Sequence, residues 1–294
     1  MVHKSGFVNI IGNPNVGKST LMNALVGERM SIITPKAQTT RHRITGIVNG
    51  DDFQIVFSDT PGILKPSYKL QEAMLKSVNS AFTDADVILY VTDVVEKSDK
   101  NAQYIEKLKK IKVPVFIIIN KIDLTSQEKL IPLVDEWHLL IPKAQILPIS
   151  AIEKFNTKLL FDKILSLLPE GPEYYPKDSL TDRSERFFVS EIIREKVFLE
   201  YQKEIPYSVE VSVESFKEEK DIIRISALIY VIRDSQKGII IGHKGQALKK
   251  VGTDARKDIE EFLGKKVFLE LFVKVKKDWR DETRALRNFG YDKT

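Results

Sequence analysis

Residues 12–20 of the chain read GNPNVGKST, which fits the pattern G-x-x-x-x-G-K-[ST] from Gly12 to Ser19. The apolar run at residues 7–11 predicts a buried strand before this stretch, and residues 21–26 predict a helix after it. A strand, a glycine-rich loop and a helix in this order direct backbone N–H groups and the helix dipole at one point. The stretch therefore predicts a loop that binds an anionic phosphate group.

The side chains at the end of this loop predict how a nucleotide would be held. The Lys18 ammonium has the reach for β- and γ-phosphates, and the Ser19 hydroxyl suits Mg²⁺. We expect the whole loop to contact the nucleotide. Its residues are Gly12, Asn13, Pro14, Asn15, Val16, Gly17, Lys18, Ser19 and Thr20.

Composition limits the classes to which the protein can belong. The 294 residues are 43% hydrophobic and 30% charged, as in ordinary globular proteins, and the net charge of +5 mildly favours polyanionic partners. The absence of cysteine excludes disulfides and cysteine zinc sites. No apolar run approaches the roughly 20 residues that span a bilayer, and no signal peptide fits the N-terminus. We expect a cytoplasmic protein of one or two domains.

The polar segment at residues 29–46 predicts a mobile loop, because it is rich in threonine and lacks periodicity. A phosphate-transferring enzyme of this kind needs a loop here that closes over the γ-phosphate and gives Mg²⁺ a second hydroxyl. Thr40 is our first choice for that ligand, and Thr39 is the alternative.

A predicted hairpin, with strands at residues 44–48 and 53–57, leads into the sequence DTPG. Its aspartate, Asp59, follows a strand and is suited to hold Mg²⁺ through water. The Gly62 N–H is suited to bond the γ-phosphate and to lose that bond on hydrolysis, which would make a switch. We expect Lys18, Thr40 and Gly62 to form the catalytic set.

The sequence NKID follows a continuous apolar strand at residues 113–119. The carboxylate of Asp123 can accept two hydrogen bonds from N1–H and the exocyclic amine of guanine, whereas adenine offers neither donor in that place. We expect Asn120 and Lys121 to brace the loop and pack the base. Ser150 and Ala151 end the next strand and could present backbone N–H groups to the guanine carbonyl.

Strands that alternate with helices predict a doubly wound α/β domain over residues 1–170, with the ligands at the carboxyl ends of the strands. In their order, the motifs resemble the translation-factor-like P-loop GTPases. That resemblance implies GTP and GDP as ligands, Mg²⁺ as cofactor and GTP hydrolysis. Ile63 stands where Ras-type GTPases have a water-orienting glutamine, so we expect slow intrinsic hydrolysis. Asn15 matches the asparagine of potassium-stimulated GTPases, which implies stimulation by K⁺.

A proline- and glycine-rich stretch at residues 171–180 predicts a linker, and residues 181–294 predict a second, α+β domain. A helix is expected from Asp182 to about residue 200, with Asp182 as its cap. A hairpin (residues 208–216 and 222–232), a helix (residues 246–263) and a strand (residues 267–275) follow. Six apolar residues of the second helix are expected to be buried: Ala247, Leu248, Val251, Ala255, Ile259 and Phe262.

The sequence GHKG at residues 242–245 lies between an apolar run and a basic amphipathic helix. Glycines let a phosphodiester backbone approach the main chain, lysines supply cations and the isoleucine-rich face offers bases an apolar floor. This part resembles a type II KH domain, which implies RNA binding. The predicted RNA-binding residues are Ile241, Gly242, His243, Lys244, Gly245, Lys249 and Lys250. The basic tail from residue 274 would either extend this surface or pack as a helix on the domain.

A GTPase domain followed by a KH domain resembles the bacterial ribosome-assembly GTPases. The resemblance implies binding to the 3′ end of small-subunit ribosomal RNA, a role in maturing the small-subunit precursor and peripheral association with the inner membrane. We expect a monomer. Two other classes stay open from the residues alone: an RNA-binding assembly protein whose nucleotide site is only structural, and an ATP-using P-loop enzyme.

Overall fold

The computed structural model describes residues 2–96 and 101–291, and these form two compact units. The first unit comprises the chain up to Ser31, Thr40–Lys65 and Met74–Asp182. The second comprises Ile32–Thr39, Pro66–Ala73 and the chain from Arg183 onward. Two short segments from the N-terminal half of the sequence therefore belong to the second unit.

The first unit is built on a six-stranded sheet in the order β2-β3-β1-β4-β5-β6. Only β2 runs antiparallel to its neighbour, β3, and the other neighbouring pairs are parallel. The strands are β1 (Lys4–Gly12), β2 (Ile44–Asn49), β3 (Phe53–Asp59), β4 (Val87–Asp93), β5 (Val115–Asn120) and β6 (Gln145–Pro148).

Helices connect these strands as expected for a doubly wound fold. The helices are α1 (Lys18–Val26), α2 (Lys69–Ser80), α3 (Ala102–Lys110), α4 (Gln127–Leu140) and α5 (Thr157–Leu167). The sequence pattern predicts a charged helix over residues 99–110, and its predicted start, Asp99, lies outside the described residues. Every residue of β4 and β5 is buried, which is typical of parallel strands covered on both faces. The predicted fold class is confirmed.

Residues 171–180, which we predicted to be a linker, lie against the first unit. The side chain of Gln54 accepts hydrogen bonds from the Tyr174 and Tyr175 N–H groups at 2.7 and 3.0 Å. The Tyr174 ring packs on Phe7 with 4.7 Å between centroids, and the Ile47 N–H donates to the Leu180 carbonyl at 2.8 Å. The stretch contains a turn in which the Ser179 N–H donates to the Pro176 carbonyl oxygen at 2.9 Å, and other backbone groups find partners on the first sheet.

The second unit contains a three-stranded sheet in the order β7-β8-β9. The first pair of strands is antiparallel and the second is parallel. Its elements are α6 (Glu185–Glu200), α7 (Ile205–Ser208), β7 (Glu210–Glu218), β8 (Ile223–Val231), α8 (Asp234–Ile241), α9 (Gln246–Leu263), β9 (Val267–Val275) and α10 (Thr283–Asn288). Burial alternates along β8, so one face of the sheet packs on the helices. This α+β order is the one that the sequence predicted.

Two details of the second unit differ from the sequence prediction. Helix α6 begins at Glu185 with Ser184 at the N-cap, so Asp182 is not its cap. Phe262 is 39% exposed and packs on the Phe188 ring at 5.3 Å instead of entering the core. The buried residues of α9 recur every four positions, and Leu263 takes the next place in that stripe, which turns Phe262 away from it.

The described part of the tail packs against the rest of the second unit. For these residues, the alternative of a helix packed on the domain therefore holds. Trp279 is fully buried and its indole N–H donates to the Ser208 carbonyl at 3.0 Å. The ring of Phe289 packs on Trp279 and Tyr230 at 5.5 and 5.2 Å between centroids. No helix within residues 2–96 and 101–291 is long and apolar enough to cross a membrane.

Candidate functional site

The phosphate-loop lysine is buried even though it carries a charge. Lys18 starts α1, is 6% exposed and donates to the Asn13 carbonyl oxygen at 2.7 Å. Burial lowers the pKa of Lys18 from 10.5 to about 8, although the nearby carboxylates of Asp59 and Glu96 oppose that change. This lowering corresponds to about 3 kcal/mol of unfavourable free energy for the charged form. A bound anion is the partner that would offset it.

The end of β5 braces the phosphate loop from outside. The Asn120 amide donates to the Val16 carbonyl at 2.9 Å, and the Lys121 ammonium donates to the Asn15 carbonyl at 2.6 Å. Asn15 has a left-handed backbone, with φ of 65°. The loop that would hold phosphates and the strand end that would read the base are therefore one connected structure.

Two glycines leave no room for a side chain at this loop. Gly17 has φ of 93°, and a Cβ atom built there would lie 2.2 Å from the Asn120 amide nitrogen. At Gly62 a Cβ atom would lie 2.7 Å from the backbone nitrogen of Pro14. The spacing of the sequence motifs thus reflects close approaches between distant parts of the chain.

Three oxygen-bearing side chains meet beside the loop. The Ser19 hydroxyl donates to the Asp59 Oδ2 atom at 2.7 Å and lies 2.9 Å from the Thr40 hydroxyl, which is 3.3 Å from the same Asp59 oxygen. The Asp59 Oδ1 atom is buried with no hydrogen-bond partner among the described residues. Burial raises the pKa of Asp59 above its usual range, opposed by Lys18 and the hydroxyl donors. Buried oxygens of this kind fit Mg²⁺.

Thr39, the alternative to Thr40, has other partners. Its hydroxyl lies 2.5 Å from the Thr34 hydroxyl and donates to the Lys36 carbonyl at 2.7 Å. The structure therefore brings Thr40, and not Thr39, to Ser19.

The groups that we predicted to read guanine make contacts within the protein. Asp123 is exposed, and its carboxylate accepts the Ser150 hydroxyl at 2.5 Å. The Ala151 N–H donates to the Asn120 side-chain oxygen at 3.0 Å, and the Ser150 N–H donates to the Phe155 carbonyl at 3.3 Å. Both backbone N–H groups that we predicted to meet the base are thus engaged within the protein. The Ala151 hydrogen bond also links the segment after β6 to the end of β5.

Sequence reasoning missed a carboxylate at the end of β4. Asp93 is buried and accepts the Lys121 ammonium at 2.6 Å. It also accepts the backbone N–H groups of Val95 and Glu96 at 3.0 and 2.9 Å. An aspartate at the carboxyl end of a parallel strand was the signal that could have found it, because neighbouring strand ends share one edge of the sheet.

Ile63 is buried next to the site. It is 5% exposed, belongs to the core of the first unit, and its N–H donates to the Gly12 carbonyl at 3.0 Å. Its apolar side chain cannot orient a water molecule by hydrogen bonding.

Comparison with known proteins places this geometry in a family. A family model for 50S ribosome-binding GTPases matches residues 7–121, and a KH domain model matches residues 204–280. GTPase Era of Syntrophus aciditrophicus (strain SB) is 50% identical over 295 residues, which cover 99% of this chain and 96% of that protein. The chain belongs to the GTPase Era family. It is a P-loop GTPase with a KH domain, so an ATP-using enzyme is excluded.

Two solved Era structures are similar to this chain over nearly its whole length. An Aquifex aeolicus Era variant bound to GDP and AlF₄⁻ has 42% identity and a TM-score of 0.94. An Era in complex with MgGDPNP and nucleotides 1506–1542 of 16S ribosomal RNA has 41% identity and a TM-score of 0.94. Each match covers 98% of this chain and 99% of the other.

The second unit, which contains the residues matched by the KH domain model, has a groove of about 340 Å³ beside the GHKG turn. It is lined by Gly245, Leu248, Lys249, Gly252, Thr253, Arg256, Leu269 and Leu271. The apolar part is made by leucines of α9 and β9. No isoleucine among the described residues lines this groove: Ile240 is fully buried in the core, whereas Ile239 is 50% exposed outside the groove lining, so the isoleucine floor stays a prediction.

The predicted RNA-binding residues do not all line this groove. Gly245 and Lys249 line it, and His243 and Lys244 are exposed in the turn that leads to it, where Gly242 and Ile241 are half-buried. Lys250 instead pairs with Glu200 at 2.5 Å and lines a different groove. Successive helical residues point about 100° apart, so Lys249 and Lys250 cannot serve one groove equally.

Proposed function

We propose that this GTPase is a switch that hydrolyses GTP with Mg²⁺ and thereby controls binding of its KH domain to the 3′ end of small-subunit ribosomal RNA during maturation of the small-subunit precursor. One observation carries the proposal. The same chain holds a braced phosphate loop with the Ser19–Thr40–Asp59 cluster and an exposed basic turn beside an apolar groove. The GTPase domain is residues 1–170 and the RNA-binding domain is residues 181–294, joined by residues 171–180.

The proposed mechanism uses the chain's own groups for charge and position. Lys18 and the loop N–H groups stabilise negative charge on the β- and γ-phosphates as water attacks the γ-phosphate. Ser19, Thr40 and Asp59 would hold Mg²⁺, which when bound supplies positive charge to the phosphate oxygens. The Gly62 N–H bonds the γ-phosphate and is released when that phosphate leaves.

We expect slow intrinsic hydrolysis, since the buried Ile63 cannot orient the attacking water. K⁺ is expected to raise the rate by adding positive charge near Asn15. Turnover measured at equal ionic strength in KCl and in NaCl tests this expectation. Equal rates in the two salts would remove the role of K⁺.

The RNA part of the proposal is supported by a relative and by the groove. A similar Era binds nucleotides 1506–1542 of 16S ribosomal RNA. In this chain, Lys244 and Lys249 are exposed cations next to Leu248, Leu269 and Leu271, so phosphates and unstacked bases would both find partners. Cytoplasmic location, peripheral association with the inner membrane and the monomeric state are further parts of the proposal, and they rest on the family resemblance.

Reversing the charge of two residues at the groove should weaken RNA binding. The double variant Lys244→Glu and Lys249→Glu is expected to bind an RNA of nucleotides 1506–1542 at least about 10-fold more weakly, because two phosphate contacts become repulsive. The slope of log affinity against log salt should fall by about 1 for each lysine lost. Fluorescence anisotropy over a range of KCl concentrations measures both quantities.

Lys257→Glu is the matched control, because Lys257 lies on the same helix but lines the other groove. It should bind this RNA like the wild-type protein. If the double variant and the control have equal affinities, the groove is not the RNA site.

A further inference from the structure

Helix α6 of the second unit contains a fully buried ion pair. Arg194 is 0% and Glu191 4% exposed, and the Arg194 Nε atom donates to a Glu191 carboxylate oxygen at 2.8 Å, while the Nη2 atom donates to the other oxygen. Buried ion pairs contribute little net stability, because desolvation of the two charges offsets their attraction. Net stability alone therefore does not explain why this pair is buried.

The same guanidinium holds a segment from the N-terminal half of the sequence. Arg194 Nη2 donates to the backbone carbonyl oxygen of Thr39 at 2.6 Å, in a buried position. An arginine can make these bonds together because its N–H donors form a rigid planar fork.

Two further contacts attach this segment, residues 32–39, to α6. The Ile33 N–H donates to the Glu195 carboxylate at 3.0 Å. The Lys36 ammonium donates to the carbonyl oxygens of Phe198 and Tyr201 at the C-terminal end of the helix, where cations are favoured. The segment is thus held at its start, its middle and its last residue.

The residue that follows this segment is Thr40, whose hydroxyl lies 2.9 Å from Ser19 in the first unit. The peptide bond between Thr39 and Thr40 is planar, so a fixed carbonyl at Thr39 also fixes the nitrogen and Cα of Thr40. We infer that Arg194, held by Glu191, is a positioning residue for GTP hydrolysis: it holds the Thr39 carbonyl so that the Thr40 hydroxyl is presented to Mg²⁺. This inference rests on the proposed role of Thr40 as a metal ligand.

The substitution Arg194→Lys tests this role with little change in charge. A lysine ammonium can still pair with Glu191, but it lacks the fork that also reaches the Thr39 carbonyl. At saturating GTP we expect turnover to fall about 10-fold and the Mg²⁺ concentration for half-maximal turnover to rise about 10-fold. Each change corresponds to a loss of about 1.4 kcal/mol through the lost hold on the Thr39 carbonyl. Affinity for GDP without Mg²⁺ should stay within about twofold, since the phosphate loop is untouched.

Two controls separate positioning from a general loss of stability. Ile259→Ala removes buried side-chain volume from the core of the same unit and is not among the residues that hold the segment, so it should lower the melting temperature without changing the Mg²⁺ requirement. Asp258→Asn removes the ion pair with Lys196 and should leave turnover unchanged. If turnover of Arg194→Lys and Ile259→Ala falls in proportion to melting temperature, Arg194 is only structural and the inference is overturned.

Thr40→Ala distinguishes failure of the inference from failure of the proposed function. If Thr40→Ala leaves the Mg²⁺ requirement unchanged, the metal assignment is wrong and the inference falls with it. If Thr40→Ala raises the requirement and Arg194→Lys does not, the positioning role alone is wrong. Adding Arg194→Lys to Thr40→Ala should cause no further rise, because both act on one hydroxyl.

A second variant keeps the test available if Arg194→Lys does not fold. Lys36→Met removes the contact with the C-terminal end of α6 and leaves the buried pair intact. We expect a rise of about threefold in the Mg²⁺ requirement, since one of three attachments is lost. No rise in this variant would contradict the inference.

Discussion

Replacing Lys18 with methionine is expected to lower the maximal rate of GTP hydrolysis by about 10²–10³-fold, the effect of losing one preorganised charge at the transferred phosphate. Methionine has a similar length and no charge, so it fills the space that the lysine stem occupies. Single-turnover measurement of phosphate release at saturating GTP and Mg²⁺ gives the rate of the chemical step.

The stability of the same variant provides a control, because the substitution should lower activity without lowering the melting temperature. Burial lowers the pKa of Lys18 to about 8, so the charged lysine disfavours the nucleotide-free fold at pH 7 by about 3 kcal/mol. Lys18→Met should therefore melt at the same or a higher temperature without nucleotide. A lower melting temperature together with lost activity would mean that the variant is misfolded, and the catalytic conclusion would not stand.

Proton uptake gives an independent measure of this lysine. At pH 8.5 a group with a pKa of about 8 is about three-quarters neutral, and a bound triphosphate favours its charged form. Binding of GTP at this pH should take up about 0.8 proton in the wild-type protein and none in Lys18→Met. Calorimetry in two buffers with different ionisation enthalpies measures the uptake. Equal uptake in both proteins would contradict the assignment to Lys18.

Replacing Asp123 with asparagine is expected to lower affinity for GDP by about 10²-fold or more, because one hydrogen bond from guanine is lost and the other keeps only a neutral acceptor. Asparagine presents an N–H₂ group where the carboxylate accepted a bond, so the exocyclic amine of guanine meets a donor. Xanthine has a carbonyl group where guanine has its exocyclic amine, so it can accept a hydrogen bond from the asparagine N–H₂ group. We therefore expect the variant to prefer XDP over GDP, as measured by competition with a fluorescent nucleotide.

Asp162→Asn is the control for this specificity change. Asp162 is exposed and pairs with Lys158, so its loss changes net charge equally without approaching the site. It should keep the guanine preference. If Asp123→Asn binds GDP and XDP in the same ratio as the wild-type protein, Asp123 does not read the base.

The nucleotide-site groups were predictable because each lies within a short motif at the end of a strand. Gly12, Asp59 and Asn120 end β1, β3 and β5, and parallel strands bring their carboxyl ends to one edge. The pattern of apolar runs was therefore enough to bring them together. Asp93 was missed because no recognisable motif surrounds it, and its place at the end of β4 was the only signal.

The second unit marks where sequence reasoning was weaker. The order of its elements followed from periodicity, and the sequence of the GHKG turn pointed to RNA. The composition of the groove did not follow, because Leu269 and Leu271 of β9 reach it only through pairing of distant strands. Phe262 was predicted to be buried and is exposed, since one residue of offset on a helix decides which stripe faces the core.

The sequence by itself predicted the phosphate loop, the aspartate proposed to read guanine, the two fold classes and the turn proposed to bind RNA, because each prediction depends on residues within one turn or one strand. Only the tertiary structure decided that Thr40 and not Thr39 meets Ser19, and that Arg194 holds the carbonyl between them. The physical reason is range. A motif records local backbone geometry, whereas a hydrogen bond between residues 155 positions apart exists only once the chain has folded.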